Sequence, residues 1–539
     1  MKRLTIILMF AFAISAQAQK ALPVIAITTS TQLNAQQKVT AHMKTKGYDG
    51  PIGIKLRGNS SLSFNQKKYT IETRDDNGNE LDVSLLGMPA HHDWVLLAPY
   101  NDISMMRDPL AFQLWRDMGH WGPRTVFCEV TVDGAYRGIY ILSEAIKRGK
   151  DRVNISKLKK SDTSGRELTG GYLLRIDTFN EDDATFTSKV PGIGEGNMSS
   201  EVIWSCIYPK KKNLQPEQMT YIQSYVDTVE QVIQSDYFAD PKKGYARYID
   251  VPSFVDYFIH TELSLNADGY KRSAYFYKEK QNADGSGGKL VAGPVWDYNL
   301  AYGNCNFANA DKLDAWCFEG ASNNPTPAMW QRLLQDPQFR KAVKKRYQQL
   351  RKGVLSNKAL NAYIDRQVKC LIKAQGHHFQ TYPELLVSEE RKLELEKQKK
   401  ENPQSAFPFG GGFPAMGAFP PMPEGGFQMP EGGFPPMPEG GFQIPEGGFQ
   451  IPEGGFQIPE GGFPPMPSGG FQMPEGFQFD AVGMFAAYRV SSYEEEIKIL
   501  KQWLADRLAF LDRNIARFDS DWQPRIQPLV EKKMQFPFF

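Results

Sequence analysis

Beyond its first twenty residues the sequence has no run of 18 consecutive apolar residues, which leaves no candidate membrane-spanning helix there. Cysteine is scarce. The five, at positions 128, 206, 305, 317 and 370, are odd in number and irregular in spacing. No C-x-x-C pair occurs, which argues against a zinc ribbon or a thioredoxin-like site. Cys305 and Cys317 are close enough in sequence for a local disulfide in an oxidising compartment, with buried free thiols as the alternative. An excess of either charge is missing too: Lys and Arg number 63, Asp and Glu 61, for a net +2. No global field therefore points to nucleic acid or to a membrane surface. Among seven histidines, the pairs in "HHDW" and "GHHF" lack the i,i+4 spacing of a helical zinc site and read as surface or packed rings. No G-x-S-x-G is present, so a serine-hydrolase elbow is absent. Acids are too numerous for residue types alone to exclude a glycosidase pair.

What is present is a globular chain of 539 residues, 41% hydrophobic and 23% charged, enough for one large or two ordinary domains. It begins "MKRLTIILMFAFAISAQAQK". Lys2 and Arg3, a short apolar core and Ala16-Gln17-Ala18 have the pattern of a secretory signal peptide over 1–18. With no cysteine at the cleavage point to carry a lipid anchor, the expected location is periplasmic, cell-surface or secreted.

After a lead-in at 19–50, where "VIAITTS" reads as a strand, "PIGIKLRG" and "KKYTIETRD" alternate as half-buried strands do and form an antiparallel hairpin. "SMMRDPLAFQLWRDMG" has helical spacing and stops at Gly119. "VFCEVTVDGAYRGIYILSEAI" is a hairpin turning at Asp133-Gly134, and "TGGYLLRIDTF" is a further strand. Helices follow in "QPEQMTYIQSYVDTVEQVIQS" and in "DVPSFVDYFIHTELSLN", the latter with an Asp N-cap and Pro252 in its first turn. "SAYFYKEK" and "KLVAGPVWDYN" read as a small hairpin between helices, and the chain from 326 to 372 is helical again. The expected fold is α+β, with a strand-rich front half and a helix-rich back half.

Residues 403–479 differ from everything around them. "PEGGFQI" and its variants recur with Phe at 427, 434, 442, 449, 456, 463, 471 and 477. So much Pro and Gly cannot sustain a helix or a strand ladder. The tract reads as a low-complexity insertion, either a solvated linker or a segment for surface attachment or self-association through its regular Phe and Met anchors. It bulges from one domain, formed by 51–402 and a returning helix within 480–539, because helical patterns flank it: "PELLVSEERKLELEKQKK" before it and the Ser-x-x-Glu-capped "SSYEEEIKILKQWLADRLAFLDRNIARF" after it.

Two places can carry chemistry. In the small hairpin, Asp268 precedes the first strand and Asp297, in "GPVWDYNLAYGN", follows the second. Pairing of the strands brings both acids to one end. Two carboxylates together suit a divalent cation or proton transfer, and Asn266 and Asn299 can add neutral oxygens. The other place is "IKLRGNSSLSFNQKKYTIE", whose Gly, Asn and Ser amides with Arg57, Lys67 and Lys68 can hold phosphates as an anion nest does. Ordinary turn caps and solvated lysines remain open as the alternative at both.

"RGNSS…KKYTIE", "YNDISMMRDPLAFQLWRDMG", "YRGIYILSE", "NADGYKRSAYFYK" and "GPVWDYNLAYGN", in this order, resemble the spore-coat protein H (CotH) kinase-like family. The resemblance covers roughly 50–310, and "KQWLADRLAFL" fits the family's C-terminal end. It implies an atypical protein-kinase-like, two-lobed fold with ATP between the lobes and Mg²⁺ or Mn²⁺ on the phosphates, and transfer of the γ-phosphate to Ser or Thr of exported or surface proteins. A kinase-fold adhesin or a nucleotide-binding pseudokinase is the alternative. Carried over by position, Asp268 would be the catalytic acid that orients the acceptor hydroxyl. Asp297 would be a metal ligand with Asn299 as its helper. Lys67 or Lys68 would neutralise phosphate, with Arg57 and Glu144 beside the nucleotide and Arg107 bracing the site. The sequence has no G-x-G-x-x-G-x-V, V-A-I-K, H-R-D or D-F-G. Arg272, Ser273 and Ala274 stand where an Asn for a second metal is expected.

Overall fold

Alternation of apolar and polar residues shapes the first third of the chain. The computed structural model describes residues 21–193, 201–320, 326–401, 488–520 and 522–526. The expected leader at 1–18 and the Pro/Gly/Phe-rich tract at 403–479 lie outside them. Seven strands, β1 (Val24–Thr28), β2 (Val39–Thr45), β3 (Tyr48–Arg57), β4 (Lys68–Thr73), β5 (Asp93–Leu97), β6 (Thr125–Val132) and β7 (Ala135–Glu144), close into a barrel in the order β1-β2-β3-β4-β5-β7-β6. Each pairing is antiparallel except the last. β1 lies parallel to β6, with Val24 opposite Glu129, and this closes the ring. Side chains one residue in two fill the interior: Ile52 and Ile54 from β3, Tyr69 and Ile71 from β4, Tyr140 and Leu142 from β7. Asp133 and Gly134 have φ of +52° and +78°, the left-handed pair that a two-residue hairpin turn requires.

The second sheet has five strands. These are β8 (Tyr172–Ile176), β9 (Ala184–Thr187), β11 (Ile203–Tyr208), β12 (Ala274–Lys278) and β13 (Leu290–Ala292), in the order β13-β12-β8-β11-β9; β10 (Gly192–Ile193) pairs separately with β14 (Thr326–Pro327). The hairpin expected to stand between helices thus joins a sheet begun a hundred residues earlier, with Phe276 opposite both Ala292 and Leu174. Its second strand is shorter than the sequence suggests. It ends at Ala292, before Gly293-Pro294, where proline has no N–H for a ladder bond. Val295–Asn299 is therefore loop.

Helix α1 (Arg107–Asp117) follows the barrel's fifth strand, and α2 (Gly165–Leu168) is a single turn. α3 (Pro216–Gln234) and α4 (Val251–Ser264) cover the second sheet. The Asp250 carboxylate accepts the Ser253 amide at 2.9 Å, as its N-cap role requires. The helical stretch from 326 breaks at Asp336-Pro337 into α5 (Met329–Gln335) and α6 (Pro337–Arg351), followed by α7 (Asn357–Leu371), α8 (Gln375–Thr381) and α9 (Glu389–Glu401). After residues 402–487 the chain re-enters as α10 (Tyr493–Ile515), capped by Ser492. It returns beside the point of departure, because the Val387 amide donates to the Val490 carbonyl at 3.0 Å. The mixed α+β character and the strand-rich front half match the sequence reading. Among the described residues no helix is long and apolar enough to cross a membrane. All five cysteines are free, and four of them are buried. The histidines are engaged in packing and hydrogen bonds: the His378 ring accepts the Ile139 amide, His377 stacks on Tyr136, and His92 pairs with Asp82.

Candidate functional site

Three elements deliver the residues. α4 ends at Ser264, and Leu265, at φ +44°, turns the chain into Asn266. The Asn266 side chain is buried and works in two directions. Its Oδ1 accepts the Asp268 amide at 3.3 Å, and its Nδ2 donates to the Asp297 carbonyl at 3.2 Å. One side chain thus joins the turn bearing Asp268 to the loop bearing Asp297. Asp297 lies beyond the end of β13 at Ala292, so the Asn266 side chain and not the strand ladder brings the two segments together. Burial first, then Asp297, pushes the Asp268 carboxyl up to about 6, against the pull of Arg272. The Arg272 Nη1 stands 3.6 Å from Asp268 Oδ1.

Asp297 has φ +64°, a left-handed backbone disfavoured for any residue with a Cβ. Its carboxylate is 37% exposed and so available to a ligand. Lys68, at the head of β4, brings Nζ to 3.9 Å from Asp297 Oδ1. Lys67 points elsewhere and donates to the Leu62 carbonyl within its own loop at 2.7 Å. Of the two adjacent lysines, Lys68 is the one brought to the acids. Lys67 precedes β4 and folds back on the β3–β4 loop, whereas Lys68 is fixed by the strand.

Asp108 also belongs to this group, and sequence reasoning passed over it. It lies in the first turn of α1, is buried, and its Oδ1 accepts the Tyr298 amide at 2.6 Å. Burial, and then the nearby Asp297 charge, hold its carboxyl well above the usual carboxylate range; Lys68 and the Tyr298 amide act against them. The only sequence signal was an acid near a helix start, which is ordinary for any helix.

The other expected residues are placed as follows. Arg57, opposite Lys68 in the β3–β4 register, lays its guanidinium 5.4 Å from the Trp296 ring centroid. The Asn299 Nδ2 donates to Asn101 Oδ1 at 3.0 Å and its backbone carbonyl accepts from Asn304 Nδ2 at 2.8 Å, which leaves the side-chain Oδ1 to a ligand. Glu144 is fully buried and ion-paired to Arg124, at 2.8 Å, and to Arg152. Arg107 is fully buried and donates to the Ala301 carbonyl, so it braces the loop that follows Asp297.

Beside this group lies a cavity of about 780 Å³ between the barrel and the five-stranded sheet. Lys55, Arg57, Lys147 and Arg148 line it from the barrel, Arg175 and Tyr275 from the sheet, and Trp296 next to Asp297. Eight Lys or Arg and three Asp or Glu contribute to its walls, in a chain whose overall charge is near zero. Such a wall suits a polyanion of nucleotide size.

Fold and site together define an α+β protein with a three-aspartate, one-lysine centre beside a cationic cleft. The family model described as "CotH kinase protein" matches residues 54–404, and the chain belongs to that family. It is also similar to the inner spore coat protein H of Bacillus subtilis (strain 168), 23% identical over 307 residues, which cover 57% of this chain and 73% of the relative.

Proposed function

We propose that this chain is an exported, ATP- and divalent-metal-dependent protein kinase that transfers the γ-phosphate of ATP to Ser or Thr of exported or surface proteins. The reading implies a kinase-like arrangement with the barrel and the helix-covered sheet as its two lobes. The observation that carries it is the meeting of Asp268, Asp297 and Lys68 beside a cationic cleft.

The donor set fits Mg²⁺ or Mn²⁺: the exposed Asp297 carboxylate and the side-chain Oδ1 of Asn299 are the hard ligands such ions take. The ion would offset phosphate charge when bound. Lys68 neutralises the phosphates from the barrel side, and Arg57 holds the cleft wall through Trp296. Asp268 orients the acceptor hydroxyl. As the hydroxyl oxygen bonds to the γ-phosphorus, the bond from that phosphorus to the bridging oxygen breaks, ADP leaves, and Asp268 takes the hydroxyl proton. A carboxyl pushed up to about 6 is a better proton acceptor than an unperturbed aspartate and is still ionised at neutral pH.

Incubation with labelled ATP, Mg²⁺ or Mn²⁺ and casein-like or self substrates tests this. Label transfer that is absent in Asp268→Asn and Asp297→Ala supports the reading. No transfer above those variants overturns it. The specific observation favouring the second reading, a nucleotide-binding scaffold without transfer, is the Arg272–Asp268 ion pair. That reading gives ATP-dependent thermal stabilisation with no phosphorylated residue by mass spectrometry.

A further inference from the structure

We propose that Asp108 is the positioning residue of this centre, holding Asp297 in its left-handed backbone conformation so that the carboxylate is presented to a divalent cation. The inference rests on the reading of Asp297 as a metal ligand.

The loop from Gly293 to Asn304 turns sharply, with φ of +64° at Asp297 and +53° at Tyr302. A left-handed aspartate persists only where its surroundings over-determine it. The peptide group that follows Asp297 is gripped at both ends by buried polar side chains from other elements. On its C-terminal side the carbonyl of Asp297 accepts from Asn266 Nδ2 at 3.2 Å. The next amide, that of Tyr298, donates to Asp108 Oδ1 at 2.6 Å. These are the two halves of one peptide bond, so the plane that follows Asp297 is fixed at both its oxygen and its hydrogen. Asn266 comes from the end of α4 and Asp108 from the start of α1, two helices that pack on one another. Tyr298 is itself buried, with its ring edge-on to His260 at 5.0 Å, so the amide cannot turn to water when Asp108 is lost.

The bond also explains why an acid is tolerated at a buried position. α1 presents amides at its first turn, which favours a negative side chain, and Lys68 lies within reach of both acids. What the role needs is an acceptor oxygen at Oδ1, which asparagine also supplies. A role for the charge itself would make Asp108→Asn as damaging as Asp108→Ala.

The test is hydrogen exchange at the Tyr298 amide together with Mn²⁺ binding by electron paramagnetic resonance, both on the full chain without nucleotide. In Asp108→Ala the amide loses protection and the Mn²⁺ dissociation constant rises at least about tenfold, while the circular dichroism spectrum is unchanged. Asp108→Asn restores both. Asn266→Ala, which removes the opposite grip, weakens Mn²⁺ in the same way and serves if Asp108→Ala fails to fold. Wild-type Mn²⁺ affinity in both alanine variants overturns the proposal, as does an Asp108→Asn protein as weak as Asp108→Ala, and so does a wild-type chain that binds no Mn²⁺. Absence of phosphate transfer by the wild-type chain, with these binding results obtained, overturns the kinase reading alone.

Discussion

Arg107 and Glu496, separated by 389 positions and by the whole Pro/Gly/Phe-rich tract, meet at 2.6 Å with both side chains fully buried. The Arg107 guanidinium also holds Asp102, the Ala301 carbonyl and the Tyr488 hydroxyl. A second arginine repeats the pattern. Arg507, farther along α10, donates to the Glu262 carbonyl and to the carbonyls of Leu313 and Ala315. Through these two arginines α10 fastens the loops on either side of the candidate site.

Removing one partner of such a buried pair strands the other. Arg107→Ala leaves Asp102 and Glu496 buried without their cation, and the expected loss is about 3–5 kcal/mol of stability. Urea denaturation followed by tryptophan fluorescence measures it. A loss under about 1 kcal/mol would mean that the pair is solvated or dispensable.

Lys68 and Lys67 are predicted to part company. Lys68→Ala removes the cation facing Asp297, and the KM for ATP rises roughly 10–100-fold, the value of one charge-assisted hydrogen bond. Lys67→Ala costs only its bond to the Leu62 carbonyl and leaves that KM within about twofold. Steady-state kinetics on the two variants decides. Equal effects would place both lysines on the phosphates.

The raised Asp268 carboxyl makes stability depend on pH. Below about pH 4 the group is protonated in both the folded and unfolded chain and contributes nothing. Between there and about 6 the unfolded chain ionises while the folded one keeps its proton, so stability falls as pH rises through that window. Asp268→Asn is therefore more stable than the parent at pH 7, by about 2–3 kcal/mol, and the difference vanishes near pH 4. Thermal unfolding at the two pH values checks this. In the same variant phosphate transfer is lost.

Gly303 has φ +77°, and a Cβ there would stand 2.4 Å from Cδ1 of Trp503 on α10. Gly303→Ala combines backbone strain with an overpacked indole and is expected to cost about 2–4 kcal/mol. Trp503→Leu in the same chain should recover part of the loss. No recovery would assign the whole cost to the backbone.

Much of this was legible in advance for physical reasons. β3 and β4 alternate because one face of each meets the barrel interior, β6 and β7 are announced by their Asp133-Gly134 turn, and α4 carries its own cap. β5 was not read, since "DWVLL" is buried at every position and has no alternation to reveal. The lead-in hid β2, and nothing local announces that β1 will lie parallel to β6 a hundred residues away. Within the site, Asp268 and Asp297 were legible as acids flanking one hairpin, although Asn266 rather than the strand ladder joins their segments. Asp108 was not, because its partner is a backbone amide in a distant loop.

The sequence by itself determined the element types, the placement of two aspartates flanking one hairpin, and the motifs that place the chain in its family. These rest on local periodicity and turn chemistry, which neighbouring residues dictate. Tertiary structure alone decided which of two adjacent lysines meets Asp297, that Asp108 joins them, and that Glu496 of α10 pairs with Arg107. Those choices depend on which buried groups find partners across the fold, and an unpartnered buried charge or amide costs too much for the chain to settle otherwise.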